Sequence, residues 1–303
     1  MAQFDFDAKA EGWSTSWMPL PKPAPSPFAS AERLAQIALR SVEVTEEDVQ
    51  SFEKKGYWMA PKMLEDEDIE LLRKEANRVF EGKVDRGSTP YEYEYWKRVV
   101  SKHQQDLPDV LKVNNAWWVN DAVKKVVLSP AIGEAAAKLL RTNEIRLWHD
   151  QVIAKPGLGP DGHSENAGNI GWHQDYGFWQ VSNSSSMITA WIALQDTDLS
   201  NGGLRTITGS HKWGLLPDSA TFFEKDLDSL QAKFSAFGDQ WSDEPSIMKA
   251  GQTRYAIAVH MQSEHVGFQS GRGWHSNVRD LGPNLQEGDL FVGPAFPVLW
   301  RRS

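Results

Sequence analysis

The sequence predicts a mainly β fold, a β-sandwich or jelly roll, with helices that precede the strands along the chain. Apolar residues recur at helical spacing through most of residues 30–141, whereas short alternating segments separated by glycine-rich turns fill residues 143–303. A run of helices followed by many short strands is typical of a sheet-based domain with flanking helices. The chain has 303 residues, 40% of them hydrophobic, which is enough for a sizeable core. We therefore expect a single domain over residues 30–303.

The N-terminal region predicts an extended arm followed by two capped helices. Residues 1–29 carry prolines at alternate positions, which favour a polyproline-like backbone. Ser30 predicts the N-cap of a first helix. Thr45, followed by three acidic residues, predicts a second helix with a capping box that ends near Gly56.

The next segments predict a short strand and then further helices. Residues 57–61 predict a short strand, and residues 64–80 predict a helix because four apolar residues share one face. Residues 120–141 again have helical spacing, with an interruption near Pro130.

Beyond Asn143 the apolar period becomes that of strands. Strands are predicted at residues 145–154, 186–194, 204–208, 254–262 and 289–292. Acidic residues 218–250 interrupt this series as an insertion with partly helical patterning. The insertion is either a lid over a pocket or an elaborated surface loop.

Charge and cysteine usage exclude several classes of function. The net charge is −9, which argues against a nucleic-acid-binding protein and against attachment to an anionic membrane. The chain has no cysteine, so a metal ion would be held by His, Asp or Glu. No apolar run is long enough to span a membrane, and the first residues lack the pattern of a signal peptide. We expect a soluble, cytoplasmic protein.

The segment Gly171-Trp-His-Gln-Asp-Tyr-Gly-Phe-Trp179 contains a candidate metal site. On a strand, residues i and i+2 point to the same side, so His173 and Asp175 would present an imidazole and a carboxylate together. These are two of the three ligands in the 2-His-1-carboxylate triad of non-haem iron(II). The simpler alternative is a surface ion pair. Tyr176, Phe178 and Trp179 follow as candidates for a substrate pocket, or as core packing.

A second group of motifs follows the His-x-Asp pair at short distance. It consists of Trp191-x-Ala-Leu, an Asn-Gly-x-Leu turn and Gly-Ser-His-Lys, which ends at Lys212. In this order the motifs resemble the phytanoyl-CoA dioxygenase family, and the resemblance extends over roughly residues 43–303. It implies a double-stranded β-helix, which is a cupin-like jelly roll, with flanking helices.

The resemblance also implies a chemistry. His173 and Asp175 match two ligands of Fe(II), and Arg254 matches the arginine that grips the distal carboxylate of the co-substrate 2-oxoglutarate. An oxygenase of this kind oxidises its substrate with release of succinate and CO2. The 14 tryptophans and the aromatic residues after Asp175 favour a bulky apolar small molecule, such as a specialised metabolite, as the substrate.

One part of the family pattern has no counterpart. The family places its second iron-binding histidine on a strand before the arginine, but here Gln252 and Thr253 run directly into Arg254. No histidine lies between His211 and His260.

Three explanations are open for this gap. A segment is missing between Gln252 and Arg254; or the chain is a catalytically silent oxygenase-like subunit that partners an active paralogue; or His260, His265 or His275 replaces the ligand. A homodimer or heterodimer is among the expected assemblies. His260 is expected at the wrong end of the barrel, about 20 Å from Arg254 along one strand. A cupin-type protein that binds another divalent metal is a further alternative.

Overall fold

The computed structural model describes most of the chain between Pro23 and Ser303. The described residues are 23–86, 110–155, 170–197, 203–222, 224–238, 241–245, 254–272, 275, 278 and 285–303. Most of the arm predicted over residues 1–29 and part of the insertion at 218–250 lie outside them. The junction between Gln252 and Arg254 also lies outside them.

Six α-helices are described, and five of them precede the central strand of the main sheet. They are α1 Ala31–Gln36, α2 Glu46–Lys55, α3 Asp66–Phe80, α4 Asp121–Val127, α5 Pro130–Leu139 and α6 Leu227–Ser235. The predicted caps are present: the Ser30 side chain accepts from the Arg33 N–H, and Thr45 and Asp48 form a capping box. Gly56 ends α2 at a φ of 86°, a conformation that glycine adopts without strain.

Seven strands form two antiparallel sheets within the described residues. They are β1 Leu111–Asn114, β2 Glu144–Lys155, β3 Met187–Ala193, β4 Arg205–Ile207, β5 Asp243–Pro245, β6 Arg254–Ser263 and β7 Val298–Arg301. The main sheet has the order β1-β2-β6-β3, and β7 also pairs with β2. Strands β4 and β5 form a separate ribbon.

The two faces of the main sheet have different surroundings. Val152, Ile257 and Val259 point to one face and pack in the largest core cluster, together with residues of α3 and α4 such as Leu72 and Val123. Side chains opposite each other in an antiparallel pair share a face. The other face therefore carries the residues in register with His260, and it borders the principal cavity.

The prediction of a mainly β chain is not confirmed, because helices contain more of the described residues than strands do. The described strands form open sheets and no closed barrel. Two predicted strands are wrong: residues 57–61 are irregular, and residues 289–292 contribute only the isolated bridge between Gly267 and Leu290. In both segments no described strand runs alongside, so alternation of side chains does not produce a ladder. The strand β7 was not predicted, since its four residues give too short a pattern.

The division into an arm and a single domain over residues 30–303 remains a prediction. The described end of the arm lies against the helices, where the Ala24 N–H donates to the Val84 carbonyl at 2.7 Å. Within the described residues, no helix combines the length and apolar character that crossing a membrane requires.

Candidate metal site

The segment that carries His173 and Asp175 is held in place by the insertion. Residues 170–174 have no regular structure, and Asp175 begins a 3-10 turn that ends at Phe178. The Gly171 N–H donates to the Phe222 carbonyl at 3.2 Å, and the Gln174 N–H donates to the Ser219 carbonyl at 3.1 Å. The expectation that a strand aligns the two ligands is therefore wrong; an irregular segment and a turn bring them together.

His173 and Asp175 face each other at 3.3 Å, measured from Nε2 to Oδ1. The Nδ1–H of His173 donates to the Gly171 carbonyl at 2.7 Å, so Nε2 is the nitrogen left for a metal or a proton. The side chains are 22% and 38% exposed, and both residues line the cavity.

The charges of His173 and Asp175 depend on whether a proton or a metal ion lies between Nε2 and Oδ1. Burial by itself lowers the pKa of His173, but the hydrogen bond and charge of Asp175 outweigh it and raise that pKa. Burial likewise opposes ionisation of Asp175, yet His173, His260 and Thr189 hold the pKa of Asp175 well below its usual range. The pair is thus an ion pair when protonated, and an imidazole-carboxylate donor set fit for a divalent metal when the proton is displaced.

The second oxygen of Asp175 contacts the sheet. Oδ2 accepts from the Thr189 hydroxyl at 2.9 Å, and that hydroxyl oxygen lies 2.8 Å from Nδ1 of His260. His260 Nδ1 is 3.8 Å from Asp175 Oδ2. The expectation that His260 lies at the wrong end is therefore corrected. Asp175 approaches β3 from outside the sheet at Thr189, the residue in register with His260.

A group of imidazoles extends the site along the sheet. His149 lies opposite His260 on β2, with ring centroids 4.4 Å apart, and the ring of His275 lies 4.8 Å from that of His149. Burial and the neighbouring positive groups lower the pKa of His149 well below its usual value. Burial lowers the pKa of His260 to about 4 and that of His275 to about 3. All three rings are consequently neutral at neutral pH.

Lys112 supplies a positive charge to the same face. Its backbone on β1 is in register with Ile153, and its ammonium group lies 4.3 Å from the centroid of the Phe222 ring. Burial is the main cause of the lowered pKa values of His149 and His260, and the nearby charge of Lys112 lowers both further. A carboxylate that enters beside His173 would meet this cation. Sequence reasoning missed Lys112, Thr189 and His149, and the alternation on their strands was the available signal.

Arg254 is described only through its backbone. It begins β6 and is in register with Lys155 at the end of β2. Its side chain lies outside the description, so its predicted contact with 2-oxoglutarate remains a prediction.

The predicted pocket residues border the cavity in three different ways. The cavity has a volume of about 2320 Å³ and extends around β3, so that both faces of this strand contribute to it. Phe178 is 37% exposed and its ring lies 6.1 Å from that of His173. Trp179 is buried, with its ring 4.8 Å from that of His260, and Tyr176 donates its hydroxyl proton to the Ser182 carbonyl. Phe178 is thus the most open of the three toward a substrate.

A complete three-residue metal site is not found. Among the described residues, no group of three His, Asp or Glu side chains is arranged to hold a metal ion. Of the proposed substitutes, His260 adjoins Asp175, whereas His265 is 77% exposed beside Glu264 and His275 stacks near Trp148. The donor pair fits iron, with His260 as its nearest further histidine.

The structure thus combines a helix-backed antiparallel sheet with a His-x-Asp pair beside a cavity. The family model for phytanoyl-CoA dioxygenase matches residues 52–265, and the chain belongs to this family. The resemblance seen in the sequence is thereby confirmed. The family is one of non-haem iron dioxygenases whose cofactors are Fe(II) and 2-oxoglutarate.

Relatives of known name agree with this assignment. An ectoine dioxygenase of Streptomyces avermitilis is 24% identical over 191 residues, which cover 62% of this chain and 59% of the relative. The peroxisomal phytanoyl-CoA dioxygenase of Rattus norvegicus is 24% identical over 239 residues, covering 76% of this chain and 67% of that protein. Thus the chain spans only about three fifths of the ectoine dioxygenase.

Solved structures show the same fold. The α-ketoglutarate-dependent carbocyclase SnoK from nogalamycin biosynthesis superposes with a TM-score of 0.55 at 18% identity, covering 84% of this chain and 96% of SnoK. EctD from S. alaskensis, bound to 2-oxoglutarate and 5-hydroxyectoine, superposes with a TM-score of 0.56 at 14% identity, covering 92% of this chain and 98% of EctD. At these identities the likeness concerns the fold alone.

Proposed function

We propose that this protein is an Fe(II)- and 2-oxoglutarate-dependent oxygenase that oxidises a bulky apolar small molecule, with release of succinate and CO2. The observation that carries the proposal is the 3.3 Å contact between His173 Nε2 and Asp175 Oδ1 at the cavity wall. One imidazole and one carboxylate, both partly exposed, are donors that suit a divalent iron.

Residues of this chain would divide the work of binding. His173 and Asp175 hold the metal. Arg254 and Lys112 hold the carboxylates of 2-oxoglutarate, since guanidinium and ammonium groups both form charge-assisted hydrogen bonds with carboxylates. Iron held there would supply, together with 2-oxoglutarate and oxygen, the oxidising power needed to oxidise a C–H bond of the substrate.

The walls near the metal pair favour a flat apolar substrate. Phe178, Trp191 and Phe222 border the cavity, and the Phe222 ring lies 5.3 Å from that of His173. Aromatic walls suit a large organic molecule, in which apolar contact gives affinity and polar groups give orientation. The similarity to SnoK, an enzyme from nogalamycin biosynthesis, is consistent with a specialised metabolite.

The test is turnover of the co-substrate. The protein is purified anaerobically, given Fe(II), oxygen and carbon-labelled 2-oxoglutarate, and assayed for labelled succinate with and without candidate aromatic substrates. We expect succinate from the wild-type protein and none above background from His173→Ala. His265→Ala, a change in an exposed histidine, is the matched control and should retain activity. Equal succinate from His173→Ala would refute the proposal.

A second candidate is a silent oxygenase-like subunit, favoured by the lack of a third metal ligand among the described residues. This candidate predicts weak iron binding, no succinate under any condition, and co-purification with an active paralogue. Sequencing the transcript across Gln252 and Arg254 separates both candidates from a missing segment, which would add a histidine there.

A further inference from the structure

A chain of two hydrogen bonds leads from the sheet to the metal-binding carboxylate. Thr189 Oγ1 lies 2.9 Å from Asp175 Oδ2 and 2.8 Å from His260 Nδ1. A carboxylate only accepts hydrogen bonds, so the single hydroxyl proton of Thr189 must point to Asp175. The proton in the other contact must then come from His260, which makes Nδ1 the donor.

These two hydrogen bonds determine which atom of each side chain donates a proton and which accepts one. His260 carries its proton on Nδ1, and its Nε2 is buried with no hydrogen-bond partner among the described residues. Oδ2 of Asp175 is occupied by Thr189, which leaves Oδ1 directed at Nε2 of His173. The two oxygens of one carboxylate therefore have different tasks: one is anchored to the sheet and the other faces the metal position.

The anchor matters because Asp175 has little other support. It lies on a short 3-10 turn, and no strand holds it in line with His173. Without the Thr189 contact the carboxylate could rotate and turn either oxygen, or both, toward a metal. Thr189 and His260 are themselves held in register by the pairing of β3 with β6.

We propose that Thr189 and His260 are positioning residues, which orient Asp175 so that it binds the metal through one oxygen. The inference rests on the proposed function, because it concerns the same metal. It assigns His260 to the support of a ligand and not to the missing ligand position. Groups that orient metal ligands in this way commonly contribute about 10- to 100-fold to metal affinity.

The experiment measures binding of Co(II), a spectroscopic substitute for iron(II), to the full chain. We expect Thr189→Val to raise the Kd for Co(II) by roughly 10- to 100-fold and to change the visible Co(II) spectrum, which reports the ligand set. Thr189→Ser keeps the hydroxyl and should restore both the affinity and the spectrum. The matched control is Thr208→Val, because the Thr208 hydroxyl is buried without a hydrogen-bond partner in the described part of the chain.

A second pair of variants separates support from direct ligation. His260→Asn can place an amide N–H near the position of Nδ1 but removes Nε2, whereas His260→Ala removes both. Affinity that is kept in His260→Asn and lost in His260→Ala supports positioning. If both His260 variants lose Co(II) affinity while the Thr189→Val protein binds like wild type, the positioning role is overturned and His260 is a ligand. If wild-type protein binds no Co(II), the proposed function fails, and this inference fails with it.

Discussion

At the scale of single residues, we expect the contact between His173 and Asp175 to make metal binding at the proposed site depend on pH. Burial lowers the pKa of His173 but Asp175 raises it overall, so a metal competes with a proton for Nε2. We expect the Co(II) affinity to weaken as the pH falls from about 8 to about 5, across the titration range of histidine. Calorimetric titrations in buffers of different ionisation enthalpy would detect the released proton.

The pH dependence of Co(II) affinity is opposite in sign to the contribution that His173 makes to the stability of the metal-free protein. A raised pKa in the folded state stabilises the protein below the unfolded value of 6.5, and that stabilisation is lost as the pH rises through the folded value. Metal binding has the opposite trend. A Co(II) affinity that does not change over this pH range would contradict His173 as a ligand.

Lys112 provides a second prediction for a single side chain. Replacing it with Met removes the cation that acts on the imidazoles, and we expect 2-oxoglutarate to bind more weakly by about 1.5–3 kcal/mol, roughly 10- to 100-fold in Kd. Lys112→Arg keeps the charge and should lose less. Lys62→Met, at an exposed ion pair with Asp66, is the control. Unchanged 2-oxoglutarate binding by the Lys112→Met protein would assign the carboxylate to other groups.

The sequence predicted that His173 and Asp175 lie together, but it did not predict the backbone conformation that brings them together. The ordered motifs selected His173 and Asp175, but the argument for their alignment assumed a strand where the chain is irregular. Thr189 was not singled out, and His260 was expected at the wrong end of the barrel, because their positions beside Asp175 depend on the register between β3 and β6, which no local pattern contains. Contacts between distant segments are the part of a site that periodicity does not predict.

At the scale of elements, Gly171 couples the metal-binding segment to the insertion. A Cβ atom at this position would overlap the Thr221 carbonyl oxygen and lie 2.6 Å from that of Glu224. Because both neighbours are backbone atoms, they cannot turn away as a flexible side chain would. Gly171→Ala should therefore displace the segment and weaken Co(II) binding, measured by titration.

A glycine elsewhere provides the comparison. In α5, a Cβ at Gly133 would lie 2.8 Å from the Cβ atoms of Leu299 and Trp300 on β7. Gly133→Ala should lower the melting temperature while the folded fraction binds Co(II) normally. If Gly171→Ala leaves the Co(II) affinity unchanged, the insertion does not support the metal site.

Helices whose sequence pattern lies within one segment were predicted well. Strands that need a neighbouring strand to pair with were predicted less well. Helices α2 and α3 follow from a capping box and from apolar spacing, which act within one segment. Residues 57–61 have strand-like composition but lie beside no described strand, so they stay irregular. Conversely, β7 is four residues long and exists because β2 offers it an edge.

At the scale of the whole molecule, buried neutral histidines should limit stability in acid. His149 is 2% exposed, and burial, followed by His260, His275 and Lys112, lowers its pKa well below 6.5. His260 has a pKa lowered to about 4, chiefly by burial. Between the folded and unfolded pKa values the unfolded chain binds the proton and the folded chain does not. Stability therefore decreases as the pH falls below 6.5.

The slope of that decrease can be measured directly in the metal-free protein. Each such histidine removes up to about 1.4 kcal/mol of unfolding free energy per pH unit, while His173, whose pKa is raised, acts in the opposite sense. Urea unfolding at several pH values between about 7 and 5 should show the loss. His149→Gln should make the unfolding free energy depend less steeply on pH, because it removes one histidine that is neutral in the folded state and protonated in the unfolded state. His265→Gln, an exposed control, should leave it unchanged; equal slopes in all three proteins would show that His149 is not held neutral by its burial.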